Sequence, residues 1–166
     1  MSYDLTLKFR SPPDFDATDF EKYLSDNGIY AEMSPGFDIA EDDGHIPFRL
    51  SGRTFDTADT TDYCSGFELY AEYRSPVPLT WLDKLRGKKP GQPWYEITLC
   101  CHDTHEIMLA HAFCAYMVER DTAAEYDDPQ GTNGTAQSDL GEAIETAKEF
   151  YADGKQGYDY IFESWE

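Results

Sequence analysis

Residues 3–9 alternate cleanly: Tyr3, Leu5, Leu7 and Phe9 are separated by polar neighbours. This period of two predicts a half-buried first strand, which Pro12-Pro13 ends. Asp16 then stands where a helix N-cap belongs, with Phe15 before it and Phe20 at the fourth helical position, the arrangement of a hydrophobic staple. ATDFEKYLSDN is expected to follow as a helix, with Gly28 as the residue after its cap. IYAEMS reads as a short strand, PGFDIAEDDGH as an acidic loop and IPFRLSG as another strand. TFDTADTTDYCSG, rich in Asp and Thr with little periodicity, is expected to be an exposed loop. Alternation returns in FELYAEYR, with Phe67, Leu69, Ala71 and Tyr73 on one face. SPVPLTWLDKLRGKKPGQP connects it onward through a short helix around Leu79–Leu85.

WYEITLCCH is the clearest strand: Tyr95, Ile97, Leu99 and Cys101 face one way, and Trp94, Glu96, Thr98, Cys100 and His102 the other. Asp103 and Glu106 are spaced as a capping box for a helix that runs to about Arg120 and is apolar nearly all round, the mark of burial. AAEYDDPQG is a brief extended piece closed by an Asp-Pro turn, and GTNGTAQS a loop. Asp139 and Glu142 are again spaced as a capping box. The helix behind them sets Leu140, Ala143, Ile144, Ala147, Phe150 and Tyr151 on one stripe and is expected to stop at Gly154. YDYIFESW is the candidate closing edge strand. No internal repeat or domain boundary interrupts residues 1–166. The economical expectation is a single α+β domain, a mostly antiparallel sheet of about five strands with two to three helices packed on one face.

Composition adds one fact that the pattern lacks. The chain carries 13 Lys and Arg against 33 Asp and Glu, a net charge of −20. The charge is uneven: residues 1–83 hold 17 acids and 6 bases, residues 121–166 hold 12 and 2, and the segment 84–120 is nearly balanced with 4 and 5. Four bases (Lys84, Arg86, Lys88 and Lys89) cluster in one loop. A field of this sign repels nucleic acid and anionic membranes and speeds encounter with a basic partner. Solubility and adaptation to high salt are the plainer readings of the same charge. Aromatics at 15% separate the chain from disordered acidic segments. The N-terminus MSYDLTLKFR lacks an apolar signal region and no apolar run reaches spanning length, so a cytoplasmic protein with reduced cysteines is expected.

CCHDTHEIMLAHAFC, Cys100 to Cys114, concentrates three of four histidines and three of four cysteines. The zinc-protease motif needs two His at i and i+4 on one helical face. Here His105 and His111 are six residues apart, which at about 100° per residue leaves them about 120° apart around the helix. His111 and Cys114, at i and i+3, do share a face, and with Cys101 or His102 they form the one candidate metal or thiol set. Against it, Cys101 falls on the strand's apolar face, Cys114 among Ile107, Ala110, Met117 and Val118, and His111 reads as a core or interface histidine with one satisfied hydrogen bond. His102 and His105 are expected to flank the cap at the surface. No phosphate loop, nucleophile elbow, dinucleotide fingerprint or calcium loop occurs. No cofactor is expected, and the enzyme reading is the alternative, not the leading one.

The opening strand MSYDL, the strand YEITLCCH and the helix EIMLAHAFCAYMVER leading into YDDPQG resemble the layout of small acidic bacterial immunity proteins of polymorphic or contact-dependent toxin systems. The resemblance covers chiefly Tyr95 to Gly131. The loops Phe55–Gly66 and Gly131–Ser138 depart from that layout. It implies a non-enzymatic inhibitor that binds and neutralises a cognate toxin. The charge independently favours a cationic partner surface, with no nucleic acid or membrane as partner. The candidate contact residues are the acids Glu41, Asp42 and Asp43; Asp56, Asp59 and Asp62; and Asp127 and Asp128. Phe37, Tyr63 and Tyr126 are the candidate aromatic anchors among them. For each acid singly, a solvated and energetically neutral charge is the plainer reading. A housekeeping interaction module with a halophile-like surface remains the third alternative.

Overall fold

The computed structural model describes residues 2–39, 41–131, 134–153 and 160–165. In chain order the elements are β1 (Tyr3–Phe9), α1 (Ala17–Asp26), β2 (Ala31–Met33), β3 (Gly44–Ser51), β4 (Asp62–Arg74), α2 (Trp81–Leu85), β5 (Trp94–Cys101), α3 (Thr104–Arg120), β6 (Glu125–Asp127) and α4 (Ala136–Ala152). A 3-10 turn, Gly52–Thr54, follows β3. The fold is α+β. Six antiparallel strands stand in the order β2-β3-β4-β5-β1-β6, one more than the expected count.

The inner face of the sheet follows from alternation. Leu5, Leu7 and Phe9 of β1 are buried, as are Ile97, Leu99 and Cys101 of β5 and Ile46, Phe48 and Leu50 of β3. Against this face lie α1, held by the predicted staple, and α3. Asp16 accepts from the Asp19 amide, and Phe15 packs on Phe20 at 5.7 Å. Phe113 of α3 sits between Phe15, Phe20 and Phe67, with centroids 5.5–5.7 Å away. Gly28, at φ 77°, closes α1 in the left-handed region that a side chain resists. α4 packs on α3, burying Leu140, Ala143 and Ala147. α2 buries nothing and belongs to the exposed connection between β4 and β5.

Several local expectations are refined or corrected by the fold. The segment Asp62–Gly66, expected as loop, is the first third of β4. It pairs with β3 on one side and with the C-terminal segment on the other, through a bridge from Tyr63 to Ile161. Neighbours on both sides make up for weak alternation: residues 160–162, the described start of the expected closing edge strand, bond Asp62 and Cys64 of β4. Tyr158 and Asp159 of that expectation, and the stop at Gly154, lie outside the described residues. Ala71 and Tyr73 share the face of Phe67 and Leu69 but are exposed, because β4 runs on past the start of β3. Glu106 bonds the His102 amide instead of the cap residue's own, although Asp103 caps α3 as expected. The N-cap of α4 is Thr135 with Ser138, not Asp139 with Glu142.

The registers define two ends of the sheet. Gly44, Arg74, Trp94 and Phe9 mark one; Ser51, Asp62, Cys101, Tyr3 and Asp127 mark the other. The Cys101 end carries most of the polar side chains that the fold brings together.

Candidate functional site

β6 delivers alternate side chains to opposite faces. Tyr126 pairs with Leu7 and so points to the inner face, whereas Asp127 pairs with Thr6 and is exposed. Asp128, one residue on, turns inward again and is 8% exposed. Its Oδ1 accepts from the amides of Gln130 and Gly131 at 3.0 and 2.8 Å, an Asx turn that Pro129 pre-shapes. Its Oδ2 accepts from the hydroxyl of Tyr3 at 2.6 Å. A Cβ at Gly131 would collide with this carboxylate, so a larger residue there would have to displace it.

Above this turn stands His111 of α3, 3% exposed. Its Nδ1 is 3.1 Å from Tyr126 Oη, which is also 3.0 Å from Asp139 Oδ2 on α4. The single hydroxyl proton goes to the carboxylate, which has none to give. His111 therefore donates from Nδ1 to Tyr126, and its Nε2 carries the lone pair. That Nε2 lies 3.9 Å from Asp128 Oδ2, too far for a hydrogen bond. Burial pushes the His111 imidazole below its usual value, against the opposing pull of Asp128, Asp139 and Glu142. Burial and these carboxylates push the Tyr3 and Tyr126 hydroxyls well up. Tyr3, His111, Asp128, Asp139 and Glu142 wall a cavity of about 260 Å³.

A second polar knot lies at the same end of the sheet. Asp59 accepts from Tyr151 Oη, from the Thr61 amide at 2.8 Å and from Tyr63 Oη at 3.0 Å. The Tyr151 bond is the largest influence holding the Asp59 carboxyl down to about 2. Phe55 stacks between His105 and Tyr151, at 4.7 and 4.9 Å. Helix α4 thus reaches from the His111 cluster at Asp139 to the Asp59 cluster at Tyr151.

The sequence-predicted contact residues do not converge on one patch. Glu41, Asp42 and Asp43 are exposed at the Gly44 end, where Asp42 also accepts from the Asp38 amide at 2.6 Å. Asp56 and Asp127 are exposed at the Cys101 end. Asp62 is half-buried and pairs with Arg49 at 3.6 Å. Asp59 and Asp128, expected as loop charges, hold internal hydrogen bonds instead. The aromatic candidates also face inward: Phe37 packs edge-on against Phe15 at 5.4 Å, Tyr63 bonds Asp59 and Tyr126 joins the His111 cluster. The reading missed Glu142, Glu145 and Glu149, exposed at i, i+3 and i+7 along α4. Their spacing was available as a signal, but the misplaced cap diverted Glu142 to another role.

The soft-ligand stretch is dispersed by the fold. Cys101 points into the core and His102 outward, 4.0 Å from Glu68. Cys114 is fully buried in α3. His105, expected at the surface, is 6% exposed, and its Nε2 has no hydrogen-bond partner. Burial pushes the thiols of Cys101 and Cys114 up, away from the thiolate that nucleophilic or metal chemistry needs. Among the described residues, no group of three or more His, Cys, Asp or Glu side chains is arranged to hold a metal ion, and no helix is long and apolar enough to cross a membrane. No protein-family model, curated protein or solved structure matches the chain.

Proposed function

We propose that this protein is a non-enzymatic inhibitor, an immunity protein that binds a cationic bacterial toxin through the acidic Cys101 end of its sheet. The observation that carries the reading is the gathering there of exposed carboxylates from three separate elements. Asp56 comes from the β3–β4 loop, Asp127 from β6, and Glu142 and Glu149 from α4, with Glu145 between them paired to Lys148 at 3.2 Å. Much of the chain's positive charge is already committed at home. Arg10 pairs with Glu125, Arg49 with Glu32, Arg74 with Glu96, Lys88 with Asp83, and Arg120 with Asp19. The field presented outward is accordingly negative, which raises the on-rate for a basic partner and disfavours acidic competitors. The layout of β5, α3 and the Asp-Pro-Gln turn adds the resemblance to immunity proteins.

The test is to mix the protein with the product of the adjacent toxin-like open reading frame and titrate at low and high salt. The expected complex weakens by at least an order of magnitude between 50 and 300 mM salt, on the order expected for several exposed charge contacts. Asp56→Lys with Glu149→Lys is expected to slow association, whereas Glu41→Lys with Asp43→Lys at the far end is not. Absence of a complex, or one indifferent to ionic strength, would sink the reading.

A further inference from the structure

We propose that the cavity beside His111 is a binding site for a primary ammonium group, and that on the toxin it takes a lysine side chain. Only the second half rests on the immunity reading above. The first half stands on a count of protons and acceptors.

Where Tyr3, His111, Asp128 and Asp139 meet at the cavity the outward polar atoms are acceptors, while Gln130, whose Nε2 donates to Ser2 O, and Thr104 and Thr146 line the rest of its wall. Tyr3 has given its hydroxyl proton to Asp128, and Tyr126 has given its own to Asp139. His111 has spent its one ring proton on Tyr126, so the Nε2 edge offers a lone pair. Asp128 accepts three hydrogen bonds, two at Oδ1 and one at Oδ2, leaving Oδ2 a further lone pair. The His111 Nε2 edge opens onto the cavity and faces Asp128 Oδ2 across 3.9 Å, so one donor placed between them would bond both.

Distance chooses the donor. One nitrogen placed about 2.9 Å from both acceptors sees them about 85° apart, near enough to the tetrahedral spread of an ammonium for two nearly linear bonds. A guanidinium presents parallel N–H groups suited to the two oxygens of one carboxylate, but Oδ1 of Asp128 already accepts from two amides, leaving only Oδ2 open. Charge agrees: the cavity wall holds Asp128, Asp139 and Glu142 and no lysine or arginine among the described residues. Ile107 and Ala143 supply apolar wall for an alkyl stem. Glu142, exposed on α4, stands at the mouth.

The experiment titrates the protein with n-butylammonium chloride and follows the histidine ring resonances by NMR, the His111 signal being assigned by its absence in His111→Gln. The expected result is a saturable shift of the His111 ring alone. Butyltrimethylammonium, which has no N–H, and sodium chloride at equal ionic strength are expected to give none. Glu142→Gln lies at the surface and preserves the fold, and it is expected to weaken binding roughly fivefold. Glu41→Gln is expected to leave it unchanged. A shift that is linear in salt, equal for the quaternary ion or matched by methylguanidinium would overturn the ammonium site. Butylammonium binding without a toxin complex would leave the site standing and remove the immunity reading, and a complex without butylammonium binding would do the reverse.

Discussion

The imidazole of His105 lies flat against the ring of Phe55, with 4.7 Å between centroids. The contact ties the first turn of α3 to the loop after β3, and Tyr151 on the other side of Phe55 extends the tie to α4. It leaves His105 Nε2 buried without a partner, tolerable only while the ring is neutral.

Acid is therefore expected to weaken the fold in a defined window. Burial holds the His105 imidazole below its ordinary value near 6.5, so the unfolded chain takes up a proton that the folded chain resists. Stability is unaffected above that value and falls as pH drops below it toward the folded value. His111 contributes in the same direction. Urea titrations at pH 7.5 and 5 are expected to show this loss, and His105→Leu is expected to remove part of it.

Asp59 is expected to matter for stability more than its loop position implies. Asp59→Ala strips acceptors from Tyr63, Tyr151 and the Thr61 amide and is expected to cost about 1–3 kcal/mol. Asp56→Ala, one turn earlier and exposed, is expected to fall within about 0.5 kcal/mol of the parent. Denaturant midpoints compare the two directly.

The two candidate caps of α4 can be told apart. Thr135→Ala is expected to cost about 1 kcal/mol, because Thr135 accepts from the Ser138 amide and begins the helix. Glu142→Ala is expected to cost almost nothing in stability, since the position is exposed within the helix.

Thiol labelling should sort the four cysteines by burial. Cys64 is exposed and is expected to react first with iodoacetamide. Cys100, half-buried with its thiol pushed up to about 11 chiefly by burial, should follow slowly. Cys101 and Cys114 are expected to stay unlabelled until the protein unfolds, as mass spectrometry of digests can establish.

The core itself is the most sensitive target. Phe113→Ala removes the ring that joins Phe15, Phe20 and Phe67 and is expected to cost about 3–5 kcal/mol. Trp81→Ala, in the exposed connection, is expected to leave the melting temperature unchanged.

Where burial repeats with a short period, the chain announces its own structure. Tyr3 to Phe9 and Trp94 to Cys101 had to be strands with one wet and one dry face, and 104–120 had to be a buried helix, because hydrophobic side chains recur at those periods whatever the neighbours do. The staple of Phe15 and Phe20 was legible for the same reason: its parts lie within one turn. The cap of α4 was not, since Thr135 with Ser138 and Asp139 with Glu142 satisfy similar local chemistry, and packing of Leu140 and Ala143 chooses between them. Nor was the strand at Asp62–Gly66, which is held by partners on both sides instead of by its own pattern.

The polar clusters are wholly tertiary. Tyr3 meets Asp128 across 125 residues of chain, and Tyr151 meets Asp59 across 92. No local period records such a meeting. CCHDTHEIMLAHAFC placed His111 on a helix and Cys101 on a strand, and by itself it left both as candidate ligands. Sheet order and helix packing buried both thiols among apolar side chains and set the imidazole beside Tyr126 and Asp128. Sequence alone determined which faces are apolar, because that depends on near neighbours. What those faces bring together depends on which distant segment lands opposite, and only the folded chain decides that.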